Sequence, residues 1–273
     1  VAQGRSDMLK NTRRPHNHPR RASPATSWDA VAHWYDGWVG EDGSEHHREV
    51  AVPTLLSLLG PQPGESILDV GCGQGVLAPH IAGAGARYTG ADASPLLLDI
   101  ARRRHGSEGR FLLGDACDLA AVQGLREGSY DGVTFLLSIQ DMDPLERVLA
   151  SAAWALKPGG RLVALLTHPA FRVPRQSGWG WDEGRKLQYR RVDRYLTPLP
   201  VPMKSVDGSR PTRSFHRPVS AYVNGLAACG LVVDNMLEVP AHRVKSPRAG
   251  DERAAELARR EIPLFLALRA RKG

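Results

Sequence analysis

Three cysteines in 273 residues leave little basis for a disulfide framework. Cys72, Cys117 and Cys229 are scattered and lack metal-ligand spacing, so they read as reduced thiols of a cytoplasmic protein, with no metal expected. No stretch reaches the roughly 18–20 apolar residues that a membrane-spanning helix needs. No secretory leader is visible either, and no membrane partner is expected. A positive charge spread over the whole chain is also missing. The net charge is +7 at pH 7, but residues 1–27 hold six basic side chains against one acid and residues 168–217 eleven against four. The remainder holds nineteen basic and twenty-four acidic side chains and is mildly acidic. Residues 1–27 lack apolar periodicity and are expected to form a disordered basic tail.

Against these absences stands Ser66-Ile67-Leu68-Asp69-Val70-Gly71-Cys72-Gly73-Gln74-Gly75. A short apolar strand ends in an acid, and three of the next five residues are glycine. Such a loop lets backbone approach a ligand, because no Cβ intervenes and positive φ is free. The segment Val76 to Ala86 reads as a helix whose first amides would point at whatever lies over the loop. Strand, glycine loop and helix open a nucleotide-type site in a doubly wound α/β fold. The dinucleotide fingerprint fails here, since its third glycine would fall on Val76. No Gly-Lys-Ser/Thr follows, so a phosphate-binding loop fails as well. Cys72 reads as a space-filling residue rather than a nucleophile.

What remains, Asp-x-Gly-x-Gly-x-Gly, resembles the first motif of class I S-adenosylmethionine-dependent methyltransferases, of the bacterial small-molecule type (type 11/25-like). Two further acids end strands at the spacing that the resemblance implies. Asp92 closes Tyr88–Asp92, where a carboxylate accepts both hydroxyls of a ribose. Asp115 closes Arg110–Ala116, placed to accept from an adenine amine. Tyr130–Leu137 looks like the fourth strand, Leu162–Leu166 the fifth, and Leu231–Val239 and Leu264–Ala270 the last two, an antiparallel hairpin edge. The expected fold is α/β, doubly wound and Rossmann-like. Its mostly parallel seven-stranded sheet would have an antiparallel last strand and a lid insertion after the fifth. The methyltransferase domain would cover 28–273, with 168–217 as an acceptor-binding lid.

The resemblance implies S-adenosyl-L-methionine as cofactor, with S-adenosyl-L-homocysteine as product. The cofactor set it implies is Tyr35, Asp69, Gly71, Cys72, Gly73, Gln74, Gly75, Asp92, Ala93, Asp115, Ala116, Leu137 and Ser138. His46 and His47, opening a helix from Glu45 to Leu59, are further residues that could face the site, with a cap or surface role expected for at least one.

Glycines and prolines rule out a long helix in the lid, and a segment this long without regular structure reads as a binding loop. Its runs Pro-Arg-Gln-Ser-Gly-Trp-Gly-Trp-Asp and Tyr-Arg-Arg-Val-Asp-Arg-Tyr resemble those of a group of bacterial methyltransferases, a likeness that names no substrate. Phe171, Trp179, Trp181, Tyr189 and Tyr195 offer flat surfaces to an aromatic acceptor, and Arg172, Arg190 and Arg191 offer forks to a carboxylate or phosphate. Methyl transfer to a hydroxyl gains from a general base, and His168 and His216 are the candidates. Leu137-Ser138-Ile139-Gln140-Asp141-Met142-Asp143-Pro144 is not the Asn/Asp-Pro-Pro-aromatic run that binds a nucleobase amine in related enzymes. Asp143-Pro144 reads as a helix start, with Asp143 as cap and Pro144 first in the helix. A small-molecule acceptor therefore leads, and a nucleic acid is not expected. An RNA or protein methyltransferase using tail and lid, and a non-catalytic adenosyl-ligand-binding regulator, stay open as alternatives.

Overall fold

Five buried or half-buried residues, Ser66–Val70, form strand β1 at the centre of a seven-stranded sheet in the computed structural model of the chain. The structure describes residues 28–40, 43–203, 212–242 and 252–273, so the expectation for the basic tail lies outside the described residues. Chain order runs from α1 (Ala32–Val39) through a π-helical turn, His47–Ala51, into α2 (Val52–Leu59). Then come β1, α3 (Ala78–Gly83), β2 (Arg87–Asp92), α4 (Pro95–His105), β3 (Gly109–Leu113) and β4 (Tyr130–Leu136). After α5 (Leu145–Ala155) and β5 (Leu156–Thr167), the chain makes two hairpins, β6 (Ser177–Asp182) with β7 (Leu187–Val192) and β8 (Leu199–Pro202) with β9 (Arg213–His216). Finally α6 (Val219–Ala228), β10 (Leu231–Val239), α7 (Glu252–Glu261) and β11 (Phe265–Lys272) close the domain.

The spatial order is β10-β11-β5-β4-β1-β2-β3. The pairs β1–β2, β1–β4, β2–β3 and β4–β5 are parallel, and β11 runs antiparallel to both β5 and β10. Order reverses between β1 and β4. In an open α/β sheet that is the switch point where a crevice forms beyond the strands' carboxyl ends. Two apolar layers cover the sheet. Leu55, Leu59, Ile81 and Leu98 pack on one face, and Val148, Leu149, Tyr222 and Leu226 on the other.

Four local expectations are corrected. The helix after the glycine loop begins at Ala78 rather than Val76 and is only six residues long. The loop first turns back on itself, with Gly75 donating to the Cys72 carbonyl and Ala78 to that of Gly75. Strand β3 stops at Leu113, which leaves Asp115 and Ala116 in the turn beyond it. Asp143 does not cap α5: Pro144 holds that position with no side-chain bond, and the Asp143 carboxylate pairs with Arg217 at 2.7 Å. The insertion is regular where the structure describes it. In the first hairpin Gly180 faces Tyr189, whose ring lies where a Cβ on Gly180 would stand, so the glycine is covered from across the ladder. Residues 204–211, between β8 and β9, lie outside the described residues.

Candidate functional site

The loop after β1 is built by its own hydrogen bonds. Gly71 and Cys72 both donate to the Ala91 carbonyl, and Gly73 donates to Asp92 Oδ2 at 2.9 Å. Asp92 Oδ1 accepts from the Ser94 amide at 2.8 Å. A carboxylate oxygen has two lone-pair sites, so one remains on each Asp92 oxygen after these contacts. Burial holds the Asp92 carboxyl above its ordinary range, against the opposing backbone bonds from Ser94 and Gly73. Asp92 and the half-buried Ala93 thus stand at the mouth of the loop. Cys72 fills space: a Cβ on Gly90 would overlap its Sγ, and burial pushes its thiol well up.

Gly71 has φ of +71°, and a Cβ there would overlap Ser138 and Met142. Gly73 has φ of +53°, and a Cβ there would meet nothing nearer than Tyr35 Cε1 at 3.9 Å. An open slot therefore lies over Gly73, with the Tyr35 ring as roof. Tyr35 is held there by α1, which three contacts tie to the nucleotide half of the sheet. Gln74 Nε2 donates to the Gly40 carbonyl at 2.6 Å, Arg104 grips Asp36 through both nitrogens at 2.5 and 2.9 Å, and Ser94 Oγ donates to Asp29. Burial, with Asp141 and Asp92 nearby, raises the Tyr35 phenol far above its ordinary value, so it stays a donor.

Asp69 lies buried at the floor of the loop pocket, and each of its oxygens accepts a side-chain bond. Tyr88 Oη donates to its Oδ2 at 2.8 Å and Thr134 Oγ1 to its Oδ1 at 3.0 Å. This acid stitches β2 and β4 to β1 beneath the loop, and burial pushes it up to about 7. Gln74 and Gly75 are buried, Gly75 beneath the Phe111 ring. Leu137 closes β4 at a φ of +53°, unusual for a branched side chain, and its amide donates to Leu165. Ser138 Oγ donates to the Val70 carbonyl and so ties the end of β4 to the end of β1. Asp115 is exposed, its Oδ1 accepting from the Cys117 amide, and Ala116 is half-buried beside it. Helix α3, six residues long and starting at Ala78, does not aim its first amides into the loop as expected.

His47 lines the loop pocket, its Nδ1 at 2.8 Å from Ser44 Oγ, and burial drags its imidazole down to about 4. His46 packs edge-on to Phe265 at the carboxyl edge of β5 and β11.

The lid divides the remaining candidates. His168 is buried with both ring nitrogens engaged: Nδ1 accepts from the Ala170 amide at 3.2 Å, which leaves Nε2 to donate to Glu238 at 2.9 Å. No lone pair is left for a base, so in this arrangement His168 anchors the lid to β10. His216 Nε2 donates to the Tyr195 carbonyl at 2.7 Å, which puts the free lone pair on Nδ1. Tyr195 Oη accepts from the Val219 amide and staples the lid to α6. In the β6–β7 register Trp179 opposes Arg190 and Trp181 opposes Gln188 on one face, while Gly178 opposes Arg191 and Gly180 opposes Tyr189 on the other. Phe171, Arg172, Trp179 and Arg190 come together on the first face, with Trp181 in the same row. Tyr189 and Arg191 point outward, Arg191 paired with Asp193 at 2.9 Å.

One group escaped the sequence reading. Asp141 follows β4 in a short 3-10 turn, half-buried beside Ser214 of β9, whose hydroxyl donates to the Gln140 carbonyl at 3.5 Å, and near Tyr35 and Tyr222. Burial pushes its carboxyl up to about 7. Its signal was present, since it is an acid just past a strand on the ligand edge, but its neighbour comes from β9, over seventy residues away.

A family model described as a methyltransferase domain matches residues 68–164. The demethylmenaquinone methyltransferase of Tropheryma whipplei (strain Twist) is 35% identical over 129 residues, 45% of this chain and 49% of the relative. The ubiquinone biosynthesis O-methyltransferase of Xanthomonas campestris pv. campestris (strain B100) is 34% identical over 145 residues, 50% of this chain and 59% of the relative. The chain thus spans about half the length of the curated relatives it matches. The crystal structure of an S-adenosylmethionine-dependent methyltransferase from Mesorhizobium loti superposes with a TM-score of 0.65 at 25% identity, covering 85% of this chain and all of that one. No helix among the described residues is long and apolar enough to cross a membrane.

The residues present fit an adenosyl cofactor. Gly73 leaves a slot that any side chain would enter, and Asp92 keeps two lone pairs toward it, as a vicinal diol requires. That fit stands at the switch point of a sheet shared with the Mesorhizobium enzyme, within the stretch that matches a methyltransferase domain.

Proposed function

We propose that this chain transfers a methyl group to a small acceptor, aromatic or anionic, held between the end of β4 and the first lid hairpin. The observation that carries the reading is the Asp92–Gly73–Tyr35 cradle. Asp92 and the loop would hold the ribose, Tyr35 would cover the cofactor, and Ser138 would fix the strand end beside it. S-adenosylmethionine, when bound, supplies a methyl already activated by a sulfonium. The chain's own task is then to hold the acceptor in line and keep water out. Tyr35, protonated at all ordinary pH, offers a hydroxyl at the cradle's rim. Asp141 and His216 Nδ1 are the two groups at the carboxyl edge able to take a proton from an acceptor.

The small acceptor is supported by the names of the curated relatives, a demethylmenaquinone methyltransferase and an O-methyltransferase of ubiquinone biosynthesis. The test is calorimetric titration of the full chain with S-adenosylmethionine and, separately, NAD. Saturable binding of the first alone, followed by transfer of label from a methyl-labelled donor to an acceptor in a panel of aromatic acids and phenols, is the expected result. Binding of NAD instead would overturn the reading.

A further inference from the structure

Arg172, between β5 and β6, and Arg190 of β7 carry guanidinium groups that no carboxylate pairs among the described residues. Arg172 lies 5.1 Å and Arg190 5.2 Å from the centroid of the Trp179 ring. Two of the donors of Arg190 are committed, Nε to the Phe171 carbonyl at 2.8 Å and a terminal nitrogen to Ser177 Oγ at 2.9 Å. Arg172 Nε is buried and has no partner among the described residues. The acids of the hairpin are paired elsewhere: Asp182 with Arg185, Glu183 with Lys186, Asp193 with Arg191. Burial, then the neighbouring charge of Arg190, drags the Arg172 guanidinium down to about 10. Two like charges held side by side in partial burial are costly unless an anion joins them. Trp179 fixes both planes at once, which leaves a rigid pair of forks with donors unspent.

We propose that Arg172 and Arg190, mounted on Trp179, form a receptor for an oxyanion, a carboxylate or phosphate carried by the acceptor. The assignment to an acceptor rests on the methyltransferase reading, whereas the receptor itself does not. Its position suits the role. Arg172 follows His168 at the carboxyl end of β5, and β5, β4 and β1 are successive strands. The strand that leads into Arg172 thus lies two strands, roughly 10 Å, from the strand that opens the glycine loop. That span accommodates one ring bearing an acidic substituent.

The test titrates the full chain, saturated with S-adenosylhomocysteine, with benzoate and with inorganic phosphate, read by tryptophan emission and calorimetry. Wild type should bind at least one of the two, and the tighter arm tells carboxylate from phosphate. Arg172→Gln should weaken that binding by about tenfold or more, because a charge-assisted bidentate contact is lost. Arg172→Lys keeps the charge without the fork and should recover only part of it. Arg191→Gln, on the outer face, should bind as wild type does. The proposal is overturned if neither anion binds, or if Arg172→Gln binds as tightly as wild type while melting at the same temperature. If the chain binds no S-adenosylhomocysteine yet discriminates these variants in its absence, the methyltransferase reading fails and the receptor stands.

Discussion

Replacing Asp92 by alanine should separate the cofactor cradle from the fold. Its two oxygens each accept one backbone amide, from Gly73 and from Ser94, and each keeps one lone pair for the ligand. A hydrogen bond to a charged group contributes about 1.5–3 kcal/mol. Losing two such bonds to the ribose therefore weakens binding by about 3–6 kcal/mol, roughly 10²–10⁴-fold in dissociation constant. Asp92→Asn should fall between alanine and wild type. Its single oxygen cannot serve both amides, and its NH₂ group faces one of the two N–H donors. Calorimetric titration with S-adenosylhomocysteine measures the affinity, and urea unfolding checks that each variant is folded. A folded Asp92→Ala protein with wild-type affinity would refute the assignment of Asp92, and with it the placement of the cofactor over Gly73.

The two nearby glycines should behave oppositely. Gly73→Ala costs only about 1 kcal/mol of stability for a left-handed residue, since its Cβ meets open space, but it should obstruct the cofactor and abolish detectable binding. Gly75→Ala should unfold far more easily, because its Cβ would press into the Phe111 ring at 2.8 Å, a clash adding about 1–3 kcal/mol. The carboxyl of Asp69 is raised from 3.8 to about 7 by burial. The protonated form therefore stabilises the fold fully below pH 4, and that contribution is lost as pH rises through 7. Asp69→Asn should flatten the loss by ~1–4 kcal/mol, read by urea unfolding at pH 5 and pH 8; an unchanged slope would refute it. Asp141 ionises near pH 7, so the preference for cationic S-adenosylmethionine over its uncharged thioether product should grow as pH rises through 7. In Asp141→Asn that growth should vanish, and its persistence would remove Asp141 from the site.

The strands of the nucleotide half were legible as short apolar runs, β1 and β2 marked further by the glycine or acid that ends them. Strand β10 coincides with the expected Leu231–Val239, and β1, β2 and β4 lie where the pattern puts them. The misses have a common physical origin in partners distant in sequence. Asp69 lines the loop pocket, but sequence does not show that Tyr88 and Thr134, from two other strands, each bond one of its oxygens. The hairpins of the lid were hidden because glycine at every second position of Ser177–Asp182 argues against a strand. The ring of Tyr189 covers Gly180 only once the strands pair. Composition made every lid arginine equivalent, whereas register divides them. Arg190 shares a face with Trp179 and Arg191 does not, because side chains alternate along a strand.

Proton transfer at this site follows from which lone pairs the fold leaves free. A histidine just past β5 is an obvious base by sequence, but the Ala170 amide and Glu238 fix both its nitrogens. Serving as a base would require breaking the bond that ties the lid to β10. His216 keeps Nδ1 available, since the Tyr195 carbonyl selects the tautomer with its hydrogen on Nε2. Asp141 differs from both histidines: it is half-buried beside Ser214, and burial brings its carboxyl near neutrality. A group with pKa near the working pH combines enough of the basic form with enough driving force. Lid and sheet meet at this point, since Ser214 belongs to β9 and Asp141 to the turn after β4. Packing of the second hairpin against this turn therefore adds to the burial that raises the acid, which is how the insertion would tune Asp141 if it serves the proposed reaction.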